Sequence, residues 1–199
     1  MTAARPKAKS RSSRTFNKVE QNDITLAQAV AVDEDAPLGR LIAGFAELGD
    51  QPPLRILCAS TIAAGIAGQD RALFRTGLRM VLAHSLATAG KAFVKDIVDR
   101  TRPAKAIDGG EYRLKPGKSH AHDQQSMPSG HSAGVVAVAG AAMVDYPSAA
   151  LPAATAGAAI IAAQLPSRNH FLTDVLAGSA IGLASFAIAR VLLPPVDQD

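Results

Sequence analysis

Apolar segments of helical length, at about 54–68, 72–98, 131–145, 148–165 and 172–193, take up most of this chain beyond residue 50. Short polar breaks such as Gln69-Asp70, Asp145-Tyr146-Pro147 and Pro166-Ser167 separate them. The segments are built mainly from Ala, Gly, Leu, Ile and Val, while aromatics make up 4% of the chain and Trp is absent. Strands favour β-branched and aromatic residues in period-two alternation. Almost no such alternation occurs, so the pattern implies an all-α protein without a sheet. An earlier helical stretch begins near residue 24, with Leu38, Leu41, Ile42 and Phe45 at i, i+3, i+4, i+7 spacing. Gly49-Asp50 and Pro52-Pro53 end it. A single core of ordinary size uses all 199 residues.

A membrane span needs about 20 mainly apolar residues. Residues 175–193 approach that, with Arg190 near the end, whereas 72–98 carries Arg75, Arg79, His84 and Lys91. The small residues of 133–142 and 149–163 let helix backbones approach closely in lipid. They suit a soluble bundle equally, so hydropathy leaves both open. The net charge of +4 gathers at the start, where Arg5, Lys7, Lys9, Arg11, Arg14 and Lys18 face Glu20 alone. Residues 1–23 therefore read as a disordered basic tail ahead of a helical domain over 24–199. Such a tail could touch nucleic acid or acidic lipid; we read it as a solvated segment that helps set membrane orientation, with no nucleic-acid partner. No apolar stretch follows it closely enough to form a signal peptide, which counts against a secreted enzyme. The single cysteine, Cys58, permits neither an intrachain disulfide nor a cysteine metal site.

Three separated clusters carry chemistry. Lys95 and Arg102-Pro103 lie seven apart, on one face if the helix continues, and offer a point charge and a planar fork to phosphate oxygens. A solvated face with Asp96 and Asp99 as ion-pair partners is the plainer alternative. Pro128-Ser129-Gly130-His131 opens an apolar helix, with Ser129 as a good N-cap and Gly130 allowing close approach to the backbone. Free N–H groups and the dipole at such a helix start form an anion site. His170 and Asp174 are one helical turn apart, so a carboxylate can fix the imidazole tautomer and leave the other nitrogen nucleophilic. The same pair could belong to a metal site, which would need further ligands such as His120 and His122, or form a structural ion pair. Between the first two clusters runs a long loop, 101–127, placed to cover a site.

In order and spacing these clusters resemble the type 2 phosphatidic acid phosphatase family, which also includes vanadium haloperoxidases and bacterial acid phosphatases. Lys95-x6-Arg102-Pro103, Pro128-Ser129-Gly130-His131 and His170-x3-Asp174 carry the resemblance, which covers about 95–178 well. It implies an all-α helical bundle of the acid phosphatase and vanadium haloperoxidase type, multi-pass in a bacterial inner membrane. It also implies a metal-independent phosphatase without cofactor, acting on a lipid phosphate or polyprenyl diphosphate through a phosphohistidine. His170 would then be the nucleophile, Asp174 its orienter and His131 the proton donor. Lys95, Arg102, Ser129 and Gly130 would bind phosphate. The third motif departs from the family, where Ser-Arg precedes the histidine with five residues between. Gln164 stands at the arginine's place, and a nearby Ser167-Arg168 pair has one residue between its arginine and His170 instead of five. Either Gln164 donates a neutral hydrogen bond there or Arg168 reaches the phosphate from another angle. The alternatives in function are an inactive membrane relative and a vanadate-dependent haloperoxidase. If two segments cross before the loop with Arg100, Lys105, Arg113, Lys115 and Lys118, charge counting places the site in the cytoplasm. The family's bacterial lipid phosphatases commonly work on the outer side, so the side stays open.

Overall fold

A computed structural model describes residues 17–196. Helices run over Lys18–Val30 (α1), Pro37–Ala46 (α2), Gln51–Ala67 (α3), Arg71–Lys95 (α4), Pro103–Ile107 (α5), Gly130–Ala142 (α6), Ala150–Ala163 (α7) and Leu172–Leu192 (α8). The five long apolar segments thus fold as α3, α4, α6, α7 and α8, as their composition predicts.

The expected boundary at 23/24 cuts through α1. The Asn17 side chain accepts from the Glu20 amide at 2.8 Å, and the Glu20 carboxylate accepts from the Asn17 amide at 3.0 Å. This reciprocal cap starts the helix at Lys18. Glu20 and Asp23 are buried on its inner face. Apolar periodicity misses a helix anchored by carboxylates. The remainder of the basic tail, 1–16, lies outside the described residues.

A second departure is a small sheet. Val98–Arg100 (β1) and Leu114–Pro116 (β2) pair antiparallel, Asp99 opposite Lys115. Three-residue strands are too short to show alternation. Their pairing, together with α5 and a 3-10 turn at His122–Gln124, gives the long loop an internal framework.

At the centre lies α6, with Ala133, Val135, Ala137, Val138 and Ala141 all buried. A helix that is apolar on every side belongs inside a bundle, and α4, α7 and α8 surround it. Two glycines of α8 set its closest approach to α6. A Cβ at Gly178 would stand 2.2 Å from the Ser129 carbonyl oxygen, and one at Gly182 would stand 2.6 Å from that of Ala133. No other residue fits there without moving backbone. The Ser129 amide also donates to the Asp174 carbonyl at 3.0 Å, so the starts of α6 and α8 are fixed side by side. The C-terminal end of α4 meets them, which gathers all three sequence clusters at one end of the bundle.

The opposite end is closed by Arg79, whose side chain is fully buried. It donates to Asp145 at 2.6 Å and to the carbonyls of Leu193 and Pro194 at 2.7 and 2.9 Å. Asp145 also accepts from Thr76 at 2.8 Å and from the Val196 amide at 2.9 Å. Removing one partner of a buried ion pair strands the other charge, at a cost of about 3–5 kcal/mol. Asp145→Ala should therefore lower the unfolding midpoint of the purified protein strongly. Glu111→Ala, in a surface pair with Arg113, should leave it unchanged. An Asp145→Ala variant as stable as wild type would show that this cluster does not hold the bundle end.

Candidate active site

Where the three clusters meet, a polar cleft of about 250 Å³ opens. The 3-10 turn Glu47–Gly49 and its following residue bring Glu47 and Asp50; α4 brings Lys91 and Lys95. Arg102 and His122 enter from the long loop, Gly130 and His131 from α6, and Asn169 and His170 from the turn before α8.

Each group is held by local structure. Lys95 ends α4 and donates from Nζ to the Gln125 carbonyl at 3.0 Å. Arg102 caps α5 and donates from Nε to the His122 carbonyl at 2.9 Å and from Nη1 to that of Asn169 at 3.3 Å. These bonds fix the guanidinium at the cleft wall. Ser129 is the buried N-cap of α6; its Oγ accepts from the Ser132 amide at 3.3 Å and from the Ser132 hydroxyl at 3.0 Å. The unpaired amides of the first turn make an anion-attracting floor. The His131 ring lies 6.2 Å, centroid to centroid, from that of His170. Its Nε2 is buried with no hydrogen-bond partner among the described residues, the condition of a group awaiting a ligand atom.

His170 is almost fully buried, and its Nδ1 lies 2.8 Å from the Ser126 carbonyl oxygen. A carbonyl only accepts, so Nδ1 carries the proton and Nε2 the lone pair. Burial pushes the imidazole pKa well below its usual value, and the nearby charges of Arg102 and Lys95 push it the same way. Both effects favour the neutral ring, whose cleft is also lined by the cations Lys91, Lys95 and Arg102.

Asp174 does not contact that ring as the i, i+4 spacing predicts. Its Oδ2 stands 4.0 Å from Nδ1. It accepts instead from the Ser126 hydroxyl at 2.6 Å and the Phe171 amide at 2.8 Å, while Oδ1 accepts from Arg100 at 2.6 Å. Ser126 stands between carboxylate and imidazole, hydroxyl toward one and carbonyl toward the other. As the first-turn cap of α8, the carboxylate has its geometry set by the Phe171 amide, which keeps it off the ring.

Neither candidate for the third-motif arginine lines the cleft. Gln164 is fully buried behind it and donates to the Ala46 carbonyl at 3.1 Å; its Oε1 has no partner among the described residues. It braces the turn that carries Glu47. Arg168, with φ of 58°, turns the chain back and points its guanidinium to Asp108 and the Ala104 carbonyl.

Sequence reasoning also passed over Arg100, Ser126, Lys91, Glu47, Asp50 and Asn169. Arg100 is buried, donating to Asp23 at 2.7 Å and Thr173 at 2.6 Å and stacking 4.4 Å over the Phe171 ring. Among neighbouring Lys95 and Arg102 it had no distinguishing signal. Lys91 had one: it precedes Lys95 by four residues and shares its helix face. Among the described residues no three His, Cys, Asp or Glu side chains cluster as metal ligands. The cleft can hold a tetrahedral anion against cations and helix-start amides, expose it to one neutral imidazole, and offer a second imidazole for proton transfer.

Similarity to known proteins agrees with this arrangement. The sequence matches no curated protein closely. The fold matches the crystal structure of a transmembrane PAP2-type phosphatidylglycerolphosphate phosphatase from Bacillus subtilis with a TM-score of 0.64. That match is 20% identical and covers 89% of this chain and 87% of the other, a likeness of fold. The family model for the PAP2 superfamily matches residues 76–196, which include α4 from Thr76 onward and all three motif clusters. The chain belongs to the PAP2 superfamily and is a phosphoric ester hydrolase.

Proposed function

We propose that this hydrolase acts on lipid phosphates through a phosphohistidine at His170, without a metal ion. The observation that carries the proposal is the Nδ1–H bond to the Ser126 carbonyl, which leaves the Nε2 lone pair in a cation-lined cleft. Nε2 attacks phosphorus, the phosphorus–oxygen bond to the lipid breaks, and protonated His131 gives its proton to the departing alkoxide. Water then attacks the phosphohistidine, His131 takes up a proton from it, and inorganic phosphate and free His170 result. Lys95, Arg102 and the amides at Gly130 and His131 stabilise the charge that builds on the non-bridging oxygens. Asp174 positions Ser126, and through it His170. Gln164 and Arg168 support the cleft from behind and take no phosphate oxygen.

A lipid substrate is supported by the outer surface. Leu41, Ile56, Phe93, Leu151 and Val191 are between 66% and 79% exposed on α2, α3, α4, α7 and α8. Among the described residues α8 is long and apolar enough to cross a bilayer, and α6 and α7 are apolar but shorter. Exposed apolar side chains on five helices suit a lipid environment, and on that ground we infer a multi-pass protein of a bacterial inner membrane.

Purified protein should release phosphate from phosphatidate or a related lipid phosphate in mixed micelles, and should do so in excess chelator. Loss of turnover on chelation, restored by a divalent ion, would refute the metal-free mechanism. Failure on every lipid phosphate while a soluble ester is cleaved would refute the lipid assignment. His131→Ala should slow alkyl phosphates far more than p-nitrophenyl phosphate, whose leaving group needs little protonation; equal slowing of both would remove His131 from the proton-donor role. Because the folded His170 pKa is lowered, the neutral form persists as pH falls through 6.5, its ordinary value. In a histidine-selective NMR titration, the resonance missing from His170→Ala should remain in the neutral position at pH 6.5. A half-titrated signal there would contradict the neutral nucleophile.

A further inference from the structure

We propose that Lys91 supplies the phosphate-binding charge that the third-motif arginine provides elsewhere in the family, making it a direct substrate ligand in this chain. The proposal rests on the phosphatase reading above and deepens it. Two observations meet at this residue. The first is a vacancy of charge. Gln164, at the arginine's sequence position, is neutral and lies behind the cleft, and Arg168 is turned to Asp108. Apart from Lys91, the lysine and arginine side chains that line the cleft are Lys95 and Arg102, and both already donate to carbonyl oxygens. The second is position. Lys91 Nζ lies 2.8 Å from where a Cβ at residue 130 would sit, directly over the start of α6.

The ammonium thus shares one small volume with the free amides of the helix start, where an anion is drawn by both. It makes no hydrogen bond or ion pair among the described residues, whereas Lys95 and Arg102 are each tied to carbonyl oxygens. Asp50 lines the same cleft without bonding the ammonium, so the three N–H donors of Lys91 are open to a ligand. Lying one turn before Lys95 on the same face of α4, Lys91 lines the same cleft. The absence of a bulky side chain at Gly130 provides the room.

A purely structural role would be to neutralise Asp50, and a double variant separates the two. Lys91→Ala should lower kcat/KM and the affinity for orthovanadate, a mimic of the phosphorus in flight, together and by on the order of a hundredfold. Lys91→Arg should recover most of both, because it restores the charge. Adding Asp50→Asn to Lys91→Ala should restore neither. Lys91→Ala within threefold of wild type in both measurements would overturn the proposal, and so would restoration by Asp50→Asn. If wild-type protein binds vanadate but releases no phosphate from lipid, the lipid phosphatase reading fails while vanadate affinity still decides the role of Lys91.

Discussion

Much of this molecule depends on one buried carboxylate. Asp174 caps α8 through the Phe171 amide, receives the Ser126 hydroxyl and faces the Arg100 guanidinium. Arg100 in turn pairs with Asp23 on α1 and lies over Phe171. A carboxylate removed from water survives only when every oxygen is met. Meeting them joins four parts of the chain: the capped N-terminal helix, the edge of the small sheet, the loop that bears Ser126, and the start of α8. His170 inherits its orientation from that assembly, since its Nδ1 bonds the carbonyl of the same Ser126.

The second constraint is steric. Gly178 and Gly182 let α8 lie against the backbone of α6, so the start of α6 and the turn that bears His170 sit beside each other. Proximity of this kind is what phosphoryl transfer requires, because the protein's part is mainly positioning and electrostatic stabilisation. The two ends of the bundle divide the work. Arg79 and Asp145 close one end with matched charges, whereas at the cleft end His131 Nε2 is buried without a hydrogen-bond partner among the described residues.

The helices and the motif residues were legible in the sequence because both are local. Apolar segments with polar breaks specify α3, α4, α6, α7 and α8, and Pro128-Ser129-Gly130-His131 marks its own helix start. What could not be read is what depends on distant partners. Polar α1 is fixed by its cap and by burial of Asp23 against Arg100, a contact across 77 positions. Ser126 mediates between Asp174 and His170 because the helix cap claims the carboxylate, a competition that spacing does not reveal. Glu47 and Asp50 reach the cleft through a turn braced by Gln164, far along the chain. Gln164 and Arg168 were both plausible phosphate ligands by position; only the direction of their side chains separates them from the cleft.

The central claim is that His170 itself carries the phosphoryl group. Trypsin should divide the chain so that His131 falls in the fragment 119–168 and His170 in 169–190. Rapid quenching with a radiolabelled phosphate ester, followed by digestion at alkaline pH, should place an acid-labile, base-stable label in the fragment 169–190. Label in 119–168, an acid-stable label, or turnover with no labelled protein at any quench time would contradict the account.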